Sequence, residues 1–406
     1  MPDRLFRILA PGAIVASRMA PTGRPHRALA GLVPALALAS TLGGCAPSEG
    51  HGTVVHSEEE EFRIMTVVEG LDNPWGIAFL PEGGFLVTER PGRVRIVRDG
   101  ELDPTPLTGV PEVAARNQGG LLDVALHPDF QENRLVYLSY SKPLDGGQAT
   151  TAVARGRLEG AGLAGVEDIF VAEAAAQGGA HFGSRLLFDR DGYLFVTVGD
   201  RGQKEEAQNL SNHKGTTLRL HDDGRVPRDN PFVGREGALP EIYTYGNRNA
   251  QGMALHPETG EVWQNEHGPR GGDELNRIQA GRNYGWPEIT HGIDYNFRPI
   301  TPDTARPGME QPVVHWTPSI AVSGMDFYTG DAFPRWRGDI FVGALAQQHI
   351  RRITLEGDRV TSQEQLLTGF QRRIREVKTG PDGYLYLLTD HSGSGQVVRL
   401  EPASGG

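Results

Sequence analysis

One pattern returns six times along this chain, and it limits the fold more than any other feature of the sequence. A glycine or small residue leads into an alternating apolar strand. A turn rich in Pro, Asp and Gly follows, and then a second apolar strand. The copies begin near Gly76 (Gly76-Ile77-Ala78-Phe79), Gly120 (Leu122-Asp123-Val124-Ala125-Leu126), Ser184 (Leu186-Leu187-Phe188), Gly252 (Met253-Ala254-Leu255), Gly324 (Met325-Asp326-Phe327) and Ile374 (Val377, then Gly380-Pro381-Asp382). The second strands match as well: Gly192-Tyr193-Leu194-Phe195-Val196-Thr197-Val198 parallels Gly383-Tyr384-Leu385-Tyr386-Leu387-Leu388-Thr389. Tyr, Phe, Val and Thr suit a pleated surface, and Asp191-Gly192 and Asp382-Gly383 are hairpin turn signals. Repeats of this length, each with two clear strands and room for two more, are the signature of propeller blades.

Six copies therefore predict an all-β fold, a six-bladed β-propeller. The 54 glycines and 28 prolines among 406 residues supply the turns that many short strands require. A pair of sandwiches or a solenoid would not account for six copies separated by irregular insertions. An early strand at residues 62–68 is expected to complete the last blade, closing the ring and removing an exposed edge. The longest insertions, around Gln203–Pro240 and Trp286–Pro318, are expected on one rim, as loops that build a site over the central channel.

The N-terminus reads differently. Arg18, Arg24 and Arg27 precede an apolar run from Ala28 to Ala39, followed by small residues and Leu42-Gly43-Gly44-Cys45. That is the layout of a secretory signal, and the run is too short and proline-broken to span a bilayer. A cysteine after Leu-Gly-Gly resembles a bacterial lipobox, so residues 1–44 are expected to be a signal peptide. Cys45 would then become the lipidated first residue and the only attachment to a membrane, with Met1 or Met19 as the start. Cys45 is the single cysteine, which excludes an intramolecular disulfide. Residues 45–61, small, polar and acidic, read as a flexible tether, and residues 62–402 as the propeller domain. An exported, periplasmic or cell-surface protein follows. The net charge of −11 becomes more negative once the arginine-rich leader is removed, which disfavours nucleic acid as a partner.

Several polar, glycine-rich segments fall between blade strands. They are Arg116-Asn117-Gln118-Gly119-Gly120, Ala180-His181-Phe182-Gly183, Tyr245-Gly246-Asn247-Arg248-Asn249, Glu266 to Glu274, and Arg372-Arg373-Ile374-Arg375. Strand starts in a propeller face the channel, so a histidine, several arginines and amide side chains are expected to converge there. Guanidinium groups bind carboxylates in bidentate fashion, and such a cluster suits a small polyanionic ligand.

At these segments the chain resembles the soluble PQQ-dependent aldose dehydrogenases, which include the soluble glucose dehydrogenases. The resemblance covers residues 62–402 and is densest from Tyr245 to Pro287. There Gly246-Asn247-Arg248-Asn249-Ala250-Gln251-Gly252 is followed by Glu266-His267-Gly268-Pro269-Arg270-Gly271-Gly272-Asp273-Glu274 and by Gly281-Arg282-Asn283-Tyr284-Gly285-Trp286-Pro287. The resemblance implies pyrroloquinoline quinone (PQQ) and calcium as cofactors, an aldose sugar as substrate and an unidentified electron acceptor. It implies His181 as the general base that takes the proton of the anomeric hydroxyl, a task for which imidazole suits because it titrates near neutrality. Arg248 and Asn249 would hold the quinone oxygens and polarise the reacting carbonyl, with Arg248 catalytic beside His181. Gln118 would lie beside the cofactor, and Arg373 and Arg375 would grip its carboxylates. Tyr295, Leu345 and Ala346 would line its pocket. The carbonyls of Gly268 and Pro269 would bind the calcium that holds PQQ, and Glu274 and Tyr284 a second, structural calcium; all-oxygen ligation fits a hard cation.

Two positions depart from the soluble glucose enzymes: Ala180 stands where they have an aspartate, and Ala346 where they have a lysine on the cofactor. Glucose preference therefore does not carry over, and Gln347 or Arg351 would have to replace the lysine. Two rival readings remain: a calcium-dependent lactonase on a propeller, which needs acidic side chains gathered at the channel mouth, and a non-enzymatic binding propeller, which needs no histidine and arginine constellation.

Overall fold

The computed structural model describes residues 53–357 and 359–403. The leader at residues 1–44 and the lipobox at Cys45 lie outside them. Six antiparallel sheets form, five with four strands and one with five. Their first strands are Pro74–Phe79, Leu121–Leu126, Leu186–Phe188, Ala250–Leu255, Val322–Phe327 and Ile374–Thr379. Each begins within a few residues of one of the six copies. Second strands such as Leu194–Val198 and Leu385–Thr389 are buried at every position, because each blade is covered on both faces by its neighbours. The turns before them carry Gly192 at φ 81° and Gly383 at φ 80°, a left-handed backbone open to glycine without steric cost.

The ring closes as expected. Strand Glu61–Leu71 pairs with Gly395–Pro402, with Phe62 opposite Pro402 and Thr66 opposite Val398. Phe62 is fully buried and packs edge-on to Trp336 at 5.5 Å between ring centroids. Part of the expected tether is not a tether. Val54–His56 forms a fifth strand on this blade, with Val54 opposite Arg63, and its Val55 packs on the same aromatic cluster. Sequence reading missed it because three residues just ahead of an acidic run carry no periodicity. The segment Gln203–Pro240 is likewise broken, by strand Thr216–Leu220 of the third blade.

A charged group plugs the channel. Arg185 is 5 % exposed and reaches across to Asp123 and Glu376, with its guanidinium 4.3 Å from the centre of the Trp75 ring. Gly76 provides the room, since a Cβ there would fall 2.5 Å from an Asp123 carboxylate oxygen. The end of the channel beside this plug holds the site. Among the described residues no helix is long and apolar enough to cross a membrane.

Candidate active site

His181 lies on the loop before the first strand of the third blade, with φ at 54°. Its N–H donates to Gln118 Oε1 at 2.7 Å. Its carbonyl lies against Gly199, where any Cβ would collide with it. The backbone is thus pinned from two sides. The ring is pinned as well: Nδ1 lies 2.6 Å from Asp200 Oδ1. Asp200 also accepts from Gly202 N at 2.7 Å and from Trp286 Nε1 at 2.9 Å. Burial opposes its charge, yet the hydrogen bond and the charges of His181 and Arg248 hold its carboxyl below the usual range. An ionised carboxylate only accepts, so Nδ1 carries the proton and Nε2 keeps its lone pair. A hollow of about 320 Å³ lies beside it, lined by His181, Asp200, Lys204, Arg248, Trp286 and Tyr295, among others.

Across the channel mouth lies a cavity of about 490 Å³, lined by Arg90, Gln118, Asn249, Leu345, Arg373 and Arg375, among others. Asp390 is the counter-charge. It meets Arg373 at 3.2 Å and Arg375 at 3.0 Å, and accepts from Asn73 Nδ2 at 2.8 Å. Burial works against its ionisation, but Arg375, Asn73, Arg90 and Arg373 together hold its carboxyl well below the usual range. Three arginines thus face one carboxylate, which leaves positive charge for a polyanion.

A third hollow, of about 610 Å³, joins the other two. It shares His267 and Ala321 with the arginine cavity, and Pro269 and Tyr295 with the His181 hollow. Ala346 lines it, while Gln347 and Arg351 line none of the three. Tyr295 stands 62 % exposed at its edge. Arg248 is buried in the wall of the His181 hollow and donates to Gly268 O at 3.0 Å and His267 O at 3.3 Å. Gly268 must be glycine, because a Cβ would strike the carbonyls of Gly271 and Gly272. His267 is a poorer base than its place suggests. Burial, then Arg248 and Arg375, push its imidazole down to about 3, and its Nε2 donates to the Val322 carbonyl.

Glu274 and Tyr284 lie together with Glu266 around a small void of about 10 Å³, room for one water-sized occupant. Burial raises the carboxyl of Glu266, and burial with repulsion from Glu266 raises that of Glu274. The Tyr284 hydroxyl is engaged elsewhere, donating to Arg277 O and accepting from Gln279 N at 3.0 Å. Only its backbone carbonyl is left to serve as a ligand.

Apart from Gln347 and Arg351, the site residues named from sequence fall around these three hollows and the void beside them. Asp200 and Asp390 were missed. A signal for them exists: second strands of the repeats end in an acid at Glu89 and Glu266, and Asp200 and Asp390 follow the ends of two others.

The fold and site define an all-β propeller whose arginine-lined channel opens beside a histidine held in one tautomer. Residues 71–399 match the Glucose / Sorbosone dehydrogenase family, and the chain belongs to it. The aldose sugar dehydrogenase YliI of Escherichia coli (strain K12) is 46 % identical over 383 residues, covering 93 % of this chain and 99 % of that protein. The crystal structure of the soluble aldose sugar dehydrogenase from Escherichia coli, in the apo-form, superposes with a TM-score of 0.82 at 46 % identity, over 84 % of this chain and 99 % of its own. The PQQ-bound aldose sugar dehydrogenase of Streptomyces coelicolor superposes with a TM-score of 0.71 at 28 % identity, over 84 % of this chain and 98 % of its own.

Proposed function

We propose that this protein oxidises aldose sugars at the anomeric carbon to the lactone, with PQQ as the hydride acceptor and calcium as its partner. One observation carries the reading: a histidine with a free, oriented Nε2 borders a hollow continuous with a cavity bearing three arginines. The donor chemistry fits the cofactor. Arg373 and Arg375 suit its carboxylates, and Arg248 in the His181 hollow with Asn249 in the arginine cavity suit its quinone oxygens. The carbonyls of Gly268 and Pro269 would offer calcium the oxygen ligands it takes, and the Gly268 carbonyl accepts from Arg248 Nη1 at 3.0 Å in this structure. Glu274 and the Tyr284 carbonyl fit a second calcium, whose charge would relieve the repulsion between Glu274 and Glu266.

Bound PQQ would supply a two-electron acceptor for the hydride of the anomeric carbon. The chain does the rest. The sugar sits beside His181 with its anomeric hydroxyl toward Nε2, which takes the proton as the hydride departs. Asp200 stabilises the imidazolium that results. Trp286 and Tyr295 wall the sugar's hollow, and Arg248 offers positive charge where the acceptor oxygen becomes negative. Export with lipid attachment at Cys45 completes the reading, and the electron acceptor is left open.

A lactonase-type metal cup is not formed, since among the described residues no three His, Cys, Asp or Glu side chains converge on one point. The test is reconstitution. Chelator-treated apo-protein should reduce a redox dye with an aldose only after PQQ and calcium are both added, and PQQ should raise its Tm. Full activity in the PQQ-free, chelated protein would overturn the proposal, as would calcium-dependent lactone hydrolysis without dye reduction.

A further inference from the structure

Gln251 opens the fourth blade and is 8 % exposed at the floor of the arginine cavity. Its side chain spans between two other blades. Oε1 accepts from Arg375 Nη1 of the sixth blade at 3.0 Å, and Nε2 donates to Gly183 O at 3.0 Å, on the loop that carries His181 into the third blade. The partners fix the amide's orientation: a guanidinium can only donate and a carbonyl can only accept. Its backbone carbonyl accepts both Nε and Nη2 of Arg185, at 3.0 and 2.8 Å. Arg185 and Arg375 also share the Trp75 ring, at 4.3 and 5.7 Å. Asn249, two residues away, is drawn into the same knot by accepting from Gly183 N at 3.0 Å.

We infer that Gln251 is a positioning residue that sets the cofactor-gripping Arg375 and the His181 loop in register across the channel. This rests on the proposed function and deepens it. Among common side chains, glutamine's length and its paired acceptor and donor suit the task. A carboxylate could keep the Arg375 contact but would face the Gly183 carbonyl with repulsion. A thioether of similar size would drop both contacts, leaving Arg375 with Asp390 alone and the Gly183 carbonyl without this donor. The two contacts therefore report separately: the Arg375 contact in cofactor affinity, the Gly183 contact in turnover.

The experiment compares Gln251→Glu and Gln251→Met with the wild type. PQQ binding to the calcium-loaded protein is followed by quenching of tryptophan fluorescence, turnover at saturating PQQ by dye reduction, and folding by Tm. Gln251→Met should weaken PQQ binding about 10-fold, the loss of one hydrogen bond to a charged group, and should lower turnover as well. Gln251→Glu should bind PQQ within about 3-fold of wild type yet lose about 10-fold in turnover. If Gln251→Met does not fold, the split between binding and turnover in Gln251→Glu decides alone. The inference is overturned if Gln251→Glu matches the wild type in both, or loses both in proportion to a fall in Tm. Wild type that binds no PQQ would instead overturn the functional proposal, a separate outcome visible before any variant is made.

Discussion

Replacing Asp200 with asparagine changes one atom at the point where the base is oriented. Asp200 accepts three hydrogen bonds, from His181, Gly202 and Trp286. An asparagine of the same shape has one oxygen for these donors. Turned toward His181 and Gly202, which share Oδ1, it keeps two contacts and sets its NH₂ against the indole N–H. The preferred tautomer then survives, but the charge that steadies the imidazolium is gone. A hydrogen bond to a charged group contributes about 1.5–3 kcal/mol, and each ~1.4 kcal/mol is tenfold in rate. Turnover should therefore fall about 10- to 100-fold. The other orientation would force the proton onto Nε2 and remove the base, with a loss approaching that of His181→Ala, about 10²–10⁴-fold. The assay is dye-linked oxidation of an aldose by PQQ- and calcium-loaded enzyme, with PQQ affinity measured alongside and expected to be unchanged. The double variant Asp200→Asn/His181→Ala should be no slower than His181→Ala alone, because the carboxylate acts through the imidazole. Turnover of Asp200→Asn within twofold of wild type would refute the reasoning, as would full additivity in the double variant.

Arg375→Ala should weaken PQQ binding more than Arg373→Ala, because Arg375 is buried and Arg373 half-exposed; a loss of about 10- to 100-fold in Kd is expected, with sugar KM changed less. Fluorescence titration checks the order. Asp390 is held below its ordinary range, so its ionised form stabilises the fold above about pH 4, the value for a free carboxyl. That contribution is lost as pH falls further toward the folded value. Asp390→Asn should therefore lower Tm at neutral pH and flatten its acid decline. Cys45→Ser should release the exported protein from membranes, read by fractionation, since several acyl chains anchor where one does not; a wild type already wholly soluble after export would end the lipobox reading.

The ring was legible because its strands carry period and punctuation together: Gly76, Gly252 and Gly324 open innermost strands, and Asp-Gly pairs turn two of them. The strand at Val54–His56 was not, because three residues cannot show a period and its pairing is decided by tertiary contact with Arg63 and the cluster around Trp336. In the site, His181, Arg373 and Arg375 stood out because a polar residue at a strand start in a propeller has few places to point. Asp200 and Asp390 looked like ordinary acids after a strand. Their meaning comes from what stands 2.6 to 3.2 Å away, which lies 15 to 19 residues off along the chain. Gln251 sat unread inside the densest motif, since its two partners belong to two other blades.

Five of the six blades are made from strands that follow one another, and each can assemble as its own stretch of chain emerges. The sixth cannot. Its sheet sets Glu61–Leu71 beside the strands from Ile374 to Pro402, so an early-made strand must wait for the last-made one. Until then the incomplete ring has two open sheet edges and Phe62 lacks its aromatic socket. Closure is thus a late event of high contact order, and loss of even the final strand, Gly395–Pro402, would strip a partner from both Glu61–Leu71 and Leu385–Thr389. The ends of the domain act as a clasp: the ring is fastened last, at the seam where its early strand meets its latest.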